Sequence, residues 1–234
     1  MDRMAKQKFN VILVVDVSRS MCGRRIEQVN NAIKDISNYL KDLQIENTNV
    51  DFYLSILKFG TDACWHTSDI ATYINDFKFS EIKAGGQSNL GLAYQKLNEV
   101  MLKESQGGMM PDFGGVAPII ILLTDGHPSG KFKEELDLLR KKPWFKVALK
   151  YGIAIELNDD KTMKVLRDFV SNNGDVIEVY NSKLLERIIE IIVLTASKVK
   201  SSSVSVHNVK KVSITVEIQQ SIAEALNDVD DWEW

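Results

Sequence analysis

FNVILVVDVSRS, residues 9–20, decides the fold. From Phe9 to Val15 the run is apolar apart from Asn10, and Asp16 stops it. Such a run suits a central strand of a parallel sheet. Helices cover both faces of such a sheet, so no face is left for alternating polar residues. Directly after the run, alternation aims Asp16, Ser18 and Ser20 the same way. One carboxylate and two hydroxyls therefore converge just past the carboxyl end of the strand.

Outward from this stretch, helical and strand patterns alternate to about residue 200. Ile26 to Leu43 carries Ile26, Val29, Ile33, Ile36, Tyr39, Leu40 and Leu43, the spacing of an amphipathic helix of about five turns. Val50 to Phe59 reads as a second strand, ended by Gly60. A short candidate strand at Ala63 to Trp65 lies close enough to pair with it antiparallel. Asn89 to Leu102 is helical, and a glycine-rich loop, Gln106 to Gly115, leads into a strand from Val116 to Thr124. Helices at Phe132 to Lys141, Lys161 to Val170 and Leu184 to Val199 then alternate with strands at Val147 to Leu157 and Val176 to Tyr180. The expectation is an α/β fold: a Rossmann-like, doubly wound, mostly parallel sheet of about six strands. Helices should cover both faces, and one short antiparallel strand should lie at an edge. No internal repeat interrupts the pattern.

At Ser201-Ser202-Ser203 the periodicity weakens, so one domain is expected over 1–200 with an accessory segment over 201–234. Within that segment Val212 to Ile218 alternates like a strand, and Ile222 to Leu226 suits a short helix. DVDDWEW reads either as a solvated acidic end or as an interface anchor through Trp232 and Trp234.

The 234 residues are 44% hydrophobic and 26% charged, enough for one globular core without disulfides. A formal charge of -3 supplies no global basic field for nucleic acid. Lys141-Lys142, with Lys131, Lys133 and Arg140 nearby, reads as a solvated helix face. Cys22 and Cys64 show no CxxC or zinc spacing. Cys22 is expected to be a small buried thiol, since His66, His127 and His207 form no triad order with it. Met1 to Gln7 lacks the apolar region of a secretory leader, and no apolar stretch is long enough to span a bilayer. The expected setting is cytoplasmic, with reduced thiols and with neither membrane nor nucleic acid as partner.

In open α/β sheets, ligands sit outside the carboxyl ends of the strands. Three loops should meet there: Asp16-Val17-Ser18-Arg19-Ser20, Gly85-Gly86-Gln87-Ser88-Asn89 and Thr124-Asp125-Gly126. Two carboxylates and several hydroxyls, without histidine or thiolate, form a hard-oxygen set. Such a set suits Mg²⁺, or Mn²⁺ or Ca²⁺, rather than zinc or copper. Mg²⁺ prefers octahedral oxygen coordination, so few protein anions would leave a position for a carboxylate from another protein. The glycine pair is no phosphate cradle, because neither GxGxxG nor GK[ST] is present. His127 reads equally as a contact at the site rim and as an ordinary loop residue.

Asp16-x-Ser18-x-Ser20 after an apolar strand, a GG loop and a later T-D-G together resemble the metal-ion-dependent adhesion site of von Willebrand factor A domains. The resemblance covers roughly residues 8–200. Within that family, the last helix running into SKVKSSSVSV resembles the bacterial TerY-like proteins linked to tellurite resistance and phospho-signalling. The resemblance implies Asp16, Ser18, Ser20 and Asp125 as metal ligands, with a hydroxyl from the second loop. Where the family reads GGTxLG, this sequence reads Gly85-Gly86-Gln87-Ser88-Asn89-Leu90-Gly91. Aligned on Leu90-Gly91, Ser88 takes the Thr position; aligned on Gly85-Gly86, Gln87 takes it. Ser88 is preferred because it keeps a hydroxyl.

The function so implied is a divalent-cation-dependent interaction module, a scaffold or adaptor and not an enzyme, capturing an acidic residue of a protein partner. The subgroup implies a Ser/Thr kinase and a PP2C-type phosphatase as partners in a stress or defence pathway. The competing class is a Mg²⁺-dependent hydrolase or phosphotransferase with Asp16 as nucleophile. Ser18 stands where such an enzyme needs a second acid, and a serine is a poor general acid. A structural subunit with a vestigial metal site is a third reading.

Overall fold

Phe9 to Val15 is buried throughout, on both faces of the sheet. In the computed structural model, residues 6–67, 69–113, 115–126, 131–156, 159–171, 174–201, 216 and 219–225 are described. The strands are β1 (Gln7–Asp16), β2 (Val50–Phe59), β3 (Ala63–Trp65), β4 (Thr72–Tyr73), β5 (Ile119–Thr124), β6 (Leu149–Ile155) and β7 (Gly174–Val179). They form a 7-stranded sheet in the order β3-β2-β1-β5-β6-β7, with β4 also paired to β2. Pairing is parallel from β2 through β7, and only β3 and β4 run antiparallel. The helices are α1 (Arg24–Glu46), α2 (Leu90–Val100), α3 (Lys133–Lys141), α4 (Pro143–Val147), α5 (Asp160–Val170) and α6 (Ser182–Ser201).

Alternation along β1 divides the core in two. Phe9, Val11, Leu13 and Val15 pack with Ile33, Ile36 and Leu40 of α1 and Leu185, Ile188 and Ile192 of α6. Ile12 and Val14 pack with Ala93 and Leu97 of α2, Leu136 and Leu139 of α3, and Leu166 and Phe169 of α5. This explains why Asn10 is the one polar residue from Phe9 to Val15: a strand with helices on both faces gains from an apolar side chain at every residue.

The doubly wound α/β fold expected from the pattern is therefore present, with one more strand than expected. Thr72–Tyr73 is too short to leave a period-2 signal, yet it pairs antiparallel with β2 opposite Tyr53 and Leu54. Helix α4 was also not legible, since five residues do not complete two turns. Pro143 occupies its first turn, where the missing N–H costs nothing. The strand expected from Val116 starts only at Ile119. Pro118 has no N–H for the ladder, although its carbonyl accepts from Leu149 N at 3.0 Å.

Cys22 corrects the sequence reading, for it is exposed, its thiol directed to Ala84 O at 3.3 Å. The next residue, Gly23, takes φ 79°, and this left-handed turn starts α1 and carries Cys22 to the surface. Residues 219–225 are helical, and Ile222 is 5% exposed in the cluster beneath α1 and α6. Gln219 donates to Asp175 Oδ2 at 3.0 Å. Of the strand expected at Val212 to Ile218 only Val216 is described, and it is helical; the rest, together with Trp232 and Trp234, lies outside the described residues. No helix among them is long and apolar enough to cross a membrane.

Candidate metal-binding site

The chain passes from β1 out to β2 and β3, then crosses back to β5 on the other side of β1. Loops on the two sides turn away in opposite directions, which opens a crevice between the carboxyl ends of β1 and β5. Asp16 ends β1 and Thr124 ends β5, so strand register alone brings their side chains together.

Backbone hydrogen bonds lace the loops around this crevice. Val17 N donates to Phe59 O at 2.8 Å, Gly85 N to Val17 O at 2.7 Å, Arg19 N to Gly86 O at 3.0 Å, and Asn89 N to Gly60 O at 2.9 Å. Gly86 has φ 87°, and a Cβ there would stand 2.4 Å from Thr61 Oγ1. Only glycine satisfies both the left-handed backbone and the close approach. This turn orients the next two residues differently: Gln87 is exposed, with its N–H on Thr61 Oγ1, while Ser88 faces inward.

Asp16 is the floor of the site, with 0% of its surface exposed. Its Oδ1 accepts from Ser18 N at 2.8 Å, and its Oδ2 accepts from Thr124 Oγ1 at 2.7 Å and Ser88 Oγ at 2.9 Å. Burial pushes its carboxyl above the ordinary value, and the hydrogen bonds from Thr124, Ser18 and Ser88 only partly offset this. Among the described residues no lysine, arginine or histidine pairs with it. A buried carboxylate met only by neutral donors is costly to ionise. A cation placed against it would remove that cost.

Ser18 Oγ and Ser20 Oγ lie 3.1 Å apart, and Ser20 Oγ donates to Asp125 Oδ1 at 2.7 Å. The crevice thus assembles Asp16, Ser18, Ser20, Ser88 and Asp125, with Thr124 added. Adjacent ligands in octahedral Mg²⁺ coordination stand about 2.9 Å apart, given metal–oxygen bonds near 2.1 Å. The oxygen pairs above already have that spacing. For these oxygens to serve a divalent ion, the hydroxyl protons would have to rotate away from it. Among the described residues no three Asp, Glu, His or Cys side chains gather, so the donor set is two carboxylates filled out by hydroxyls.

Four residues that sequence reasoning missed stand behind Asp125, whose side chain is 0% exposed. The Arg25 guanidinium hydrogen-bonds and ion-pairs with Asp125 Oδ2 through Nη1, and donates to Ser20 O at 3.2 Å. Its Nε lies 3.5 Å from Glu156 Oε2. Glu156 also receives Gln28 Nε2 at 2.7 Å and Arg24 Nε at 3.2 Å. At the end of β6, Glu156 holds φ 49°, a strained conformation for a non-glycine residue. This bend brings its carboxylate back to α1. Arg24, Arg25 and Gln28 share the first turns of α1, but nothing local in the sequence couples them to Glu156. His127 lies outside the described residues.

This arrangement and the sheet order define a class, and the comparisons agree with it. The chain belongs to the von Willebrand factor type A domain family, whose model matches residues 10–191. Pig inter-alpha-trypsin inhibitor heavy chain H1 is 27% identical over 142 residues, covering 58% of this chain and 15% of the relative. Mouse inter-alpha-trypsin inhibitor heavy chain 4 is 33% identical over 126 residues, covering 51% of this chain and 12% of the relative. The chain thus spans less than a fifth of the length of either curated relative.

Among solved structures, a von Willebrand factor type A protein of Catenulispora acidiphila superposes with TM-score 0.60 at 12% identity, over 82% of this chain and 43% of that one. Proximal thread matrix protein 1 of the mussel byssus, with a zinc-occupied metal-ion-dependent adhesion site motif, superposes with TM-score 0.57 at 15% identity, over 82% and 48%. BatB of Bacteroides thetaiotaomicron does so with TM-score 0.53 at 17% identity, over 81% and 98%.

Proposed function

We propose that this chain is a divalent-cation-dependent protein-interaction module in which Asp16, Ser18, Ser20, Ser88 and Asp125 hold the cation. The observation that carries the reading is the convergence of Ser20 and Ser88 on the two buried carboxylates Asp125 and Asp16. Mg²⁺ is the proposed ion because the donors are all oxygen. The zinc held by the mussel protein makes Zn²⁺ the ion to test against it. A bound cation would supply a Lewis-acidic position, and a partner's Asp or Glu would complete its coordination. Thr124 and Ser18 N would hold Asp16 in place, while Ser20 and Ser88 would close the rim.

A non-catalytic role fits the same residues. Ser18 occupies the position where an aspartyl phosphotransferase needs its second acid, and a hydroxyl that meets Ser20 and Asp16 is a poor general acid. The setting we propose, a TerY-like stress or tellurite-resistance system with a Ser/Thr kinase and a PP2C-type phosphatase, rests on the resemblance in SKVKSSSVSV. We place the protein in the cytoplasm on the same ground.

The test is a pull-down with tagged protein in Mg²⁺, in Zn²⁺ and in EDTA, with Asp16→Ala alongside. Partners lost in both EDTA and the variant support the module. Partners retained in every arm overturn it.

A further inference from the structure

We propose that Arg25 sets the charge of the crevice, keeping affinity for the bare cation low and making the cation-loaded site net positive, so that it selects a carboxylate-bearing ligand. This inference rests on the metal-site reading above.

Arg25 is 28% exposed, and its guanidinium is already committed to Asp125, Glu156 and Ser20 O. It therefore acts on the cation through its charge behind Asp125 and is not a second hook for the partner. The groups ion-paired behind the crevice, together with Asp16 on its floor, are Asp16, Asp125 and Glu156 against Arg24 and Arg25; the exposed Arg19 of the same loop is common to every variant compared. The cluster carries one net negative charge, and a divalent cation turns it to one net positive. Without Arg25 the loaded cluster would carry one positive charge fewer and would hold a weaker electrostatic preference for an anion.

Arg25 lies on the far side of the Asp125 carboxylate, since Oδ2 meets Arg25 while Oδ1 meets Ser20. It repels an incoming cation through that carboxylate without blocking the crevice. Asp125 would keep its place if Arg25 were neutral. Its backbone follows directly on β5, and Ser20 Oγ binds its other oxygen at 2.7 Å. Loss of charge should therefore outweigh loss of position. Glu156 supplies the opposite lever, a negative charge on the same guanidinium.

The test titrates metal-free protein with Mn²⁺, counting free Mn²⁺ by electron paramagnetic resonance, for wild type, Arg25→Gln, Arg25→Lys and Glu156→Gln. Arg25→Gln should bind Mn²⁺ about tenfold more tightly, Glu156→Gln about threefold more weakly, and Arg25→Lys within twofold of wild type. A purely structural role would weaken binding in both neutralised variants. A second readout is acetate binding to the Mn²⁺-loaded protein, followed by the loss of water-proton relaxation enhancement. Wild type should bind acetate several-fold more tightly than Arg25→Gln. Equal or weaker Mn²⁺ binding by Arg25→Gln, with wild type binding normally, overturns the role of Arg25 alone. Mn²⁺ binding by none of the four proteins overturns this inference and the metal-site reading together. Should Arg25→Gln not fold, acetate binding to Mn²⁺-loaded Glu156→Gln decides the matter: tighter binding than wild type supports the charge role, and equal or weaker binding overturns it.

Discussion

Replacing Asp16 by Asn removes one charge from the floor of the crevice and keeps the shape of the side chain. In a purely structural site this change would be costly, because Asp16 accepts three hydrogen bonds at 2.7 to 2.9 Å. Yet the Asn carbonyl can keep the bond from Ser18 N, and the Ser88 and Thr124 hydroxyls can rotate to accept from its amide. Burial also pushes the Asp16 carboxyl up, so its ionised form burdens the metal-free fold. In EDTA, Asp16→Asn should therefore unfold within about 1 kcal/mol of wild type, or above it. With cation present the order reverses. A ligand at a hundredfold excess over its Kd stabilises the native state by about 2.7 kcal/mol. For a domain of this size that raises Tm by roughly 5–11 °C. Wild type should show this rise in Mg²⁺, and Asp16→Asn should show none. The assay is calorimetric or circular-dichroism melting of both proteins in EDTA and in saturating Mg²⁺. A Mg²⁺-dependent rise retained in Asp16→Asn would refute the assignment of Asp16 as ligand. A loss of more than about 3 kcal/mol in EDTA would show that the carboxylate is structural instead.

Three further outcomes follow from particular contacts. Ser88→Ala should weaken Mn²⁺ binding about tenfold, the worth of one charge-assisted contact, while Gln87→Ala stays within twofold; isothermal titration distinguishes the two. In metal-free buffer, the stability difference between Asp16→Asn and wild type should grow in favour of the variant as pH rises from about 4 toward neutrality. The sign follows from the raised carboxyl: Asp16 contributes most below its ordinary value of 3.8, and that contribution is lost as pH rises through its folded value. Denaturant midpoints across that range check it. Ile222→Ala should cost about 2–4 kcal/mol in urea unfolding, because Ile222 is 5% exposed in the main core cluster; a change under 0.5 kcal/mol would mean that residues 219–225 add nothing to the fold.

Much of the architecture was legible because its signal is local. The two-faced burial of β1 needs a nearly continuous apolar run, and FNVILVV, broken only by Asn10, is one. The 3.6-residue spacing marked α1, α2, α5 and α6 to within three residues at either end. Ends and short elements were misread where one contact decides, as at Pro118, at Thr72–Tyr73 and at the left-handed Gly23 that turned Cys22 outward. Asp16, Ser18, Ser20, Ser88 and Asp125 were likewise nameable, since each lies in a loop at the carboxyl end of a readable strand or the start of a readable helix. The choice between Ser88 and Gln87 was not decidable from spacing. It turned on φ at Gly86 and the approach of Thr61, which fix which side chain faces Asp16.

Sequence alone thus determined the alternation of elements, the sheet that follows from it and the chemical type of the crevice, because hydrophobic period and loop position are short-range properties. Tertiary structure alone decided the electrostatics. Arg25, Asp125 and Glu156 come from α1, the end of β5 and the end of β6, and they meet only because parallel strands lay their carboxyl ends side by side. Coulomb forces act through space, whereas sequence patterns report only what lies along the chain.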